Sequence, residues 1–279
     1  MAALRPVTDP RDRDRAFSEA RARVARALVD AARHWAATRP NVAVLYSGGL
    51  DSSLVARLLA AYSTVSLWTI GLPGARDLED GRTGAALLEL PHREVLLTAA
   101  AVREQLGRSG DDVAGQLEPV RSVRLSVQLA LRNCADEVVA LGQGADELFY
   151  GYARYARFGA DRAAAASDED FRRLIETEWP WTVTTARTLA KEVGSVFVDP
   201  EVARAARELP PPDPALGEPP KWHLRCIART LGVPQALVDR PKRALQYGTG
   251  IRRAIDRIAE EPGREGPGHD VPDTPTSLD

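Results

Sequence analysis

A Ser-Gly-Gly loop is the first feature of the sequence that suggests chemistry. Ser47, Gly48 and Gly49 stand between an apolar run, NVAVLY, and a second run that begins LDSSLVARLLA. A turn of this kind exposes consecutive backbone N–H groups at a helix N-terminus, where unpaired donors and the helix dipole attract anions. The loop therefore predicts a phosphate site, although two glycines would also suit a plain tight turn.

The residues around this loop distinguish it from the common phosphate-binding motifs. The sequence contains neither G-x-x-x-x-G-K-S/T nor G-x-G-x-x-G. Ser47, Ser52 and Ser53 offer hydroxyl donors. Asp51 is different, because a carboxylate repels bound phosphates unless a cation lies between them. We therefore predict that Asp51 is a Mg²⁺ ligand.

A second acidic position follows the apolar run EVVALG at 137–142. The carboxyl ends of parallel strands share one edge of a sheet, so we expect Asp146 to face Asp51 across a crevice. Two such carboxylates could hold one Mg²⁺. Glu147 is either part of this site or a first-turn acid, which stabilises a helix N-terminus by about 0.3–1 kcal/mol.

Lysine is scarce in this chain and occurs only at positions 191, 221 and 242. Lys242 lies in the glycine-containing segment RPKRALQYGTGI, residues 240–251. Its point charge could meet a phosphate or a developing negative charge, and an ordinary surface lysine is the alternative. None of the four histidines pairs with a Ser or Cys in a recognisable nucleophile motif, so we assign them no role.

The elements that must position these residues can be read from the apolar periodicity. Short runs rich in β-branched residues alternate with stretches long enough for crossover helices. Buried strands that alternate with helices predict an α/β fold with a doubly wound parallel sheet. The predicted strands are 42–47, 65–70, 93–98 and 137–142.

Helices are expected on both sides of this sheet region. An N-terminal helix ends before Pro40 and presents one apolar face. Beyond about residue 153 the pattern predicts only helices, which form a helical C-terminal lobe. The N-terminal face comprises Phe17, Val24, Leu28, Ala31 and Trp35, and the later helices are 168–178, 182–193, 200–208, 220–231 and 250–260.

These elements suggest three parts of the chain. Residues 1–39 form an N-terminal helical segment, and residues 40–260 form the main domain. Within that domain, the sheet occupies 40–155 and the helical lobe 156–260. The tail, 261–279, is rich in Pro, Gly and acidic residues and is predicted to be disordered.

The composition excludes several classes of protein. A chain of 279 residues with 44% hydrophobic residues can form one or two cores. A formal net charge of −2 gives no general attraction to nucleic acid or to an anionic membrane. No apolar run reaches transmembrane length, and the charged N-terminus is unlike a signal peptide. Cys134 and Cys226 lack disulfide or zinc-ligand spacing, so we expect a cytoplasmic protein.

Three motifs together carry a family resemblance. SGGLDS at 47–52 resembles the pyrophosphate loop of the N-type ATP pyrophosphatases, which adenylate a carbonyl oxygen and let nitrogen or sulfur displace AMP. VALGQGADELFYGYARY at 139–155 resembles the asparagine synthetase signature, and 240–251 resembles the late lysine motif of stand-alone relatives. The chain is identified as a member of the asparagine-synthetase-like proteins, whose plan β-lactam and carbapenam synthetases share.

This resemblance implies an adenine nucleotide alpha hydrolase-like fold, with ATP and Mg²⁺ as cofactors. It implies that Asp51 and Asp146 hold the metal and that Lys242 is catalytic. Adenine would lie against backbone at the end of the second strand, between Thr69 and Gly71; Leu45, Leu67 and Ile70 are either its pocket walls or plain core. The residues expected to bind the nucleotide are Ser47, Gly48, Gly49, Asp51, Ser52, Ser53, Gly71, Gly142 and Gly144.

Two positions depart from the family pattern. Glu192 has the spacing to Phe197 and Asp199 of the family segment E-x-R-x-P-F-L-D, whose Glu contributes to the substrate or base site, but Gly194 replaces the Arg and a Val replaces the Pro. A solvated Glu at a helix end is the alternative. Gln143 stands where relatives carry an acid or a Tyr, and glutamine cannot act as a base, which counts against lactam-type ring closure.

The resemblance predicts an amide ligase that forms an acyl-adenylate from a carboxylate and ATP, with AMP and pyrophosphate as products. The chain begins Met-Ala-Ala, with only about 40 residues before the loop, so we expect no glutaminase domain with an N-terminal Cys. Nitrogen would then come from ammonia, from a separate glutaminase subunit or from an organic amine. The alternatives are a tailoring ligase that joins such an amine and a non-catalytic nucleotide-binding partner.

Overall fold

The computed structural model describes Arg15, residues 17–241 and residues 248–260. The predictions about Lys242 and about the tail at 261–279 lie outside the described residues. None of the described helices combines the length and the hydrophobicity that a membrane span requires.

Within the described residues, five parallel strands form one sheet, in the order β3-β2-β1-β4-β5. The predicted α/β class with a doubly wound parallel sheet is therefore confirmed. The connections run outward in opposite directions from β1 and β4, so the crevice between their carboxyl ends is the topological switch point where such sheets bind ligands. The strands are β1 (Asn41–Leu45), β2 (Thr64–Gly71), β3 (His92–Leu96), β4 (Val138–Ala140) and β5 (Glu192–Gly194).

The helices cover both faces of the sheet. In the described residues the helices are α1 (Ser18–Ala36), α2 (Leu50–Leu59), α3 (Arg76–Leu88), α4 (Ala99–Arg108), α5 (Val120–Asn133), α6 (Ala145–Leu148), α7 (Ala160–Arg173), α8 (Trp179–Thr188), α9 (Pro200–Ala206), α10 (Trp222–Thr230), α11 (Gln235–Val238) and α12 (Ile251–Glu260). A π-helical turn at Leu174–Glu178 joins α7 to α8.

The central strand β1 is buried on both faces, which explains its continuous apolar run. Val42 and Val44 belong to the larger core, which α1, α2, α9 and α10 also fill. Ala43 points the other way, into a core that α5 shares. The predicted apolar face of α1 is confirmed, since Val24 and Leu28 are fully buried in the larger core. The division into three parts stays a prediction.

The expectation of helices alone beyond residue 153 is wrong at one place. The predicted helix 182–193 instead ends at Thr188, and Glu192–Gly194 forms β5, which pairs with β4. A three-residue edge strand is too short to show an alternating pattern. Gly194 packs against the indole of Trp35, where a Cβ would overlap the ring. The helix predicted at 168–178 begins earlier, at Ala160.

Candidate active site

The Ser-Gly-Gly loop, residues 47–49, joins β1 to the N-terminus of α2 as predicted. Gly48 has a φ of +71°, and a Cβ there would overlap the backbone carbonyl of Asp80. Gly49 is the N-cap of α2 and makes no side-chain cap hydrogen bond. Among the described residues, the first-turn N–H groups of α2 thus have no side-chain acceptor at the cap, as an anion site requires.

The three serines of this region have different surroundings. Ser47 lines the cavity beside the loop. Ser52 Oγ lies 3.5 Å from the Ser47 hydroxyl. Ser53 is fully buried, and its hydroxyl lies 3.0 Å from that of Tyr46. The structure thus brings Ser47 and Ser52 to the loop but directs Ser53 into the protein interior.

Asp51 and Asp146 face each other across the crevice between β1 and β4, as the rule for strand ends predicts. Both carboxylates contact the same cation, the Nζ of Lys221. The distance from Lys221 Nζ to Asp146 Oδ1 is 2.7 Å. We call these three residues the Lys221 cluster. The two carboxylates are therefore close enough to bind one cation together.

Lys221 is held tightly within this cluster. Its side chain is only 1% exposed, and its φ of 62° is in the left-handed region, which disfavours a lysine. Burial lowers the pKa of Lys221, but the charges of Asp146 and Asp51 outweigh that effect and raise it above the ordinary value. The ammonium therefore stays charged. Gly151 leaves room for it, since a Cβ there would overlap Lys221 and Asp146.

The cavity beside the loop lies at the carboxyl edge of the sheet, where α2 and α3 begin. Its lining has three acidic and three basic side chains, a composition suited to an anionic ligand that carries a cation with it. The residues that line it are Ser47, Gly49, Leu50, Asp51, Asp77, Asp80, Lys221, Arg225, Arg240 and Pro241.

The G-Q-G turn after β4 closes the crevice on the side of Asp146. A Cβ on Gly142 would lie 3.1 Å from Asp51 Cβ, so the turn and the start of α2 are in close contact. Gly144 has a φ of +100° and packs against Phe197. The side-chain Oε1 of Gln143 is buried and has no hydrogen-bond partner among the described residues.

The donor set fits Mg²⁺ bound together with a nucleotide. Asp51 and Asp146 already converge on one cation, and Mg²⁺ in proteins is commonly held by one or two carboxylates and substrate phosphates. No group of three or more His, Cys, Asp or Glu side chains in the described part of the chain could hold a metal. The remaining ligands would therefore be phosphate oxygens and water.

A family model described as asparagine synthase matches residues 23–195. This span covers more than half of the chain and includes the loop, Asp51 and Asp146. The chain belongs to the asparagine synthase family.

Members of this family match most of the chain but only part of their own length. A Methanocaldococcus jannaschii protein assigned as an asparagine synthetase (glutamine-hydrolyzing) is 25% identical over 90% of this chain and 53% of its own. The rat asparagine synthetase is 29% identical over 80% of this chain and 43% of its own, and the human enzyme is 28% identical over the same shares. The chain spans about half the length of the curated relatives it matches.

A solved structure also resembles the chain. NMN synthetase from Francisella tularensis has a TM-score of 0.43 and 12% identity, and the match covers 88% of this chain and 87% of that one. A likeness at this level carries no argument about function.

Glu147, which belongs to the signature that resembles this family, has a partner inside the protein. It is 9% exposed, and the hydroxyl of Tyr152 donates a 2.6 Å hydrogen bond to its Oε1. Burial raises the pKa of Glu147, and the neighbouring charge of Asp146 raises it further. Glu147 does not line the cavity, which favours the structural alternative for this residue.

The structure places Glu192 apart from the Lys221 cluster. It is the first residue of β5 and pairs with Val138, the first residue of β4, so it lies at the amino edge of the sheet. Its carboxylate accepts a 2.9 Å hydrogen bond from Arg39 Nε and is 49% exposed. Glu192 was predicted from the spacing of the family segment, but in the structure it lies at the opposite edge of the sheet from Asp51.

The end of β2, where the family resemblance placed adenine, is largely internal. The carbonyl of Gly71 accepts a 2.8 Å hydrogen bond from the N–H of Leu97. Leu67 and Ile70 belong to buried cores, which fits the plain-core alternative. Asp77, at the start of α3, lines the cavity instead.

Sequence reasoning missed three cationic residues of this site: Lys221, Arg225 and Arg240. For Lys221 a signal existed, because it is one of three lysines in a chain rich in arginine. Arg240 begins the motif segment 240–251, but Arg225 had no such signal, since it is one arginine among many.

Proposed function

We propose that this chain is the synthetase part of an AMP-forming amide ligase. ATP binds with its triphosphate on the Ser-Gly-Gly loop, and a carboxylate attacks the α-phosphorus, so pyrophosphate leaves and an acyl-adenylate forms. Ammonia or an amine then displaces AMP and forms the amide. The observation that supports this most is the Lys221 cluster beside a glycine loop, at the switch point of an asparagine synthase family sheet.

The charges of the site suit the first step. Negative charge develops on the pyrophosphate as the bond to the α-phosphorus breaks, and fixed donors aimed at that charge lower the barrier. Lys221 supplies a buried ammonium, and the uncapped N-terminus of α2 supplies backbone donors. Mg²⁺, when bound by Asp51 and Asp146 with the nucleotide, would neutralise further charge on the leaving group. A role for Lys242 stays a proposal from the sequence.

The second step needs proximity more than a base. An acyl-adenylate reacts with a neutral amine when the two are held close together and water is excluded. Gln143 cannot take a proton, but its Oε1, which has no hydrogen-bond partner among the described residues, could accept a hydrogen bond from an N–H group of the nitrogen donor. We propose ammonia as the nitrogen donor; supply by a separate glutaminase and use of an organic amine are the other two routes.

The test is a screen of carboxylic acids with ATP, Mg²⁺ and ¹⁵N-labelled ammonium, read by pyrophosphate release and by mass spectrometry of the product. We expect one acid class to give AMP, pyrophosphate and labelled amide, with a rate that rises as NH₄⁺ becomes NH₃. Cleavage to AMP without labelled product would favour an organic amine. Absence of ATP binding would overturn the proposal as a whole.

A further inference from the structure

Arg240 links the Ser-Gly-Gly loop to the first turns of α3. Its Nη1 donates a 2.6 Å hydrogen bond to the carbonyl oxygen of Gly48 and a 3.0 Å hydrogen bond to the carbonyl oxygen of Asp80. The same nitrogen lies 3.6 Å from the Asp80 carboxylate. The side chain is 17% exposed and lines the cavity. One guanidinium thus fixes a loop carbonyl and the first turns of α3.

The contact with Gly48 determines which way a peptide unit of the loop points. In a trans peptide the C=O and the following N–H point in opposite directions. With the Gly48 oxygen turned toward Arg240, the N–H of Gly49 points to the other side, where it donates a long, 3.4 Å hydrogen bond to the hydroxyl of Ser47, a residue that lines the cavity. If this peptide rotated, a carbonyl oxygen would take the place of a donor, and an oxygen repels phosphate. The left-handed φ of Gly48 allows such rotation, because glycine adopts several backbone conformations at low cost.

A second arginine, Arg225, binds the backbone of Arg240. Arg225 Nη1 donates to the carbonyl of Arg240 at 3.2 Å and also contacts the carbonyl of Val238. Its Nε donates a 2.9 Å hydrogen bond to the carbonyl of Pro220, the residue before Lys221. The turn that carries Lys221 and the loop that carries Gly48 are therefore connected through two guanidinium groups.

We infer that Arg240 is a positioning residue, which orients the loop for the triphosphate of the bound nucleotide. This inference rests on the proposed function above. Its Nη1 holds the carbonyl of Gly48, so that the N–H side of the loop faces the phosphates. This role needs two hydrogen bonds in a fixed geometry and not merely a positive charge. Lysine supplies the charge on a flexible stem with a strongly hydrated ammonium and not in a preorganised plane, so we expect Arg240→Lys and Arg240→Ala to behave alike.

Calorimetry with ATP·Mg²⁺ and with AMP tests the inference, because AMP lacks the β and γ phosphates. In both Arg240 variants we expect ATP affinity to fall about tenfold or more and AMP affinity to change less than about twofold. Millimolar methylguanidinium should restore part of the ATP affinity of Arg240→Ala. Arg204→Lys is the matched control, since Arg204 is exposed and pairs only with Glu201 among described residues. It should bind both nucleotides as the parent does.

Three results would contradict the inference. Parent-like ATP affinity in Arg240→Lys would show that charge alone is needed. Equal loss of ATP and AMP binding in both variants, without rescue by methylguanidinium, would show a general effect on the fold. Parent-like ATP affinity in Arg240→Ala would show no role. A parent chain that binds neither nucleotide would instead overturn the proposed function.

Discussion

The two edges of the sheet each carry a carboxylate paired with a cation, but the two pairs differ in their surroundings. At the carboxyl edge, Asp51 and Asp146 share the buried ammonium of Lys221. At the amino edge, Glu192 pairs with Arg39, and its carboxylate is 49% exposed. Removing one partner of a buried pair leaves an uncompensated charge, whereas an exposed pair contributes little. Convergence of two carboxylates on one buried cation therefore distinguishes a candidate site from a surface ion pair.

Removal of the shared ammonium should have the largest effect. We expect Lys221→Met to reduce pyrophosphate release by at least about 10³-fold, because two carboxylates would remain together without their cation. In metal-free buffer the free energy of unfolding should fall by on the order of 3 kcal/mol. Urea unfolding and a pyrophosphate assay measure the two effects.

Lys191→Met is the control for this change. Lys191 donates two 2.7 Å hydrogen bonds to the carbonyls of Cys134 and Asp136, at the amino edge. Its loss should affect stability but not pyrophosphate release. An equal reduction of pyrophosphate release in Lys191→Met and Lys221→Met would contradict the distinction between the two edges.

Substitution of either aspartate should come next. Asp51→Asn and Asp146→Asn keep the size of each side chain but remove a carboxylate that could bind Mg²⁺. We expect turnover to fall by about 10²-fold and the Mg²⁺ dependence of ATP affinity to weaken. Calorimetry across a series of Mg²⁺ concentrations gives the second quantity. Unchanged affinity and turnover in both variants would contradict the metal assignment.

Overpacking beside the cluster should have a smaller effect. In Gly151→Ala the new methyl group would overlap Lys221 and Asp146, which must move apart. We expect a loss of about 1–3 kcal/mol in the free energy of unfolding and weaker ATP binding. In the control, Gly107→Ala on α4, the new methyl group meets no atom of the described residues within 4 Å, apart from its chain neighbours and the backbone of its own helix. That variant should be more stable by about 0.4–1 kcal/mol. Parent-like ATP binding in Gly151→Ala would show that the cluster tolerates displacement.

The smallest effect is expected at the amino edge. Glu192→Gln removes one charge of an exposed pair, so turnover should match the parent and stability should change by less than about 1 kcal/mol. The family spacing predicts the opposite, a large loss of turnover. Steady-state kinetics distinguishes the two predictions, and a 10²-fold loss of turnover in Glu192→Gln would show that Glu192 acts in catalysis.

Much of the fold and part of the site could be predicted from the sequence. The loop at 47–49 has a local signature, and the strand-end rule then brings Asp146 to Asp51 although the two are distant in the chain. These predictions succeed because each depends on a strand and the turn directly after it.

The rest of the site depends on packing that no local pattern shows. Lys221 lies 170 residues after Asp51, in a left-handed turn before α10. Arg240 meets Gly48 through hydrogen bonds to backbone carbonyls, which leave no sequence signature. Glu192 was assigned from motif spacing, but only the register of β5 on β4 shows which edge it occupies.

Exchange of labelled pyrophosphate into ATP tests adenylation itself, because the exchange requires reversible formation of an adenylate. With its carboxylic acid substrate and Mg²⁺, the parent chain is expected to incorporate label into ATP without any nitrogen donor. Lys221→Met should show almost none, and Lys191→Met should match the parent. Formation of ADP and phosphate by the parent, with no exchange in the presence of any acid that stimulates ATP cleavage, would contradict adenylation at the Lys221 cluster.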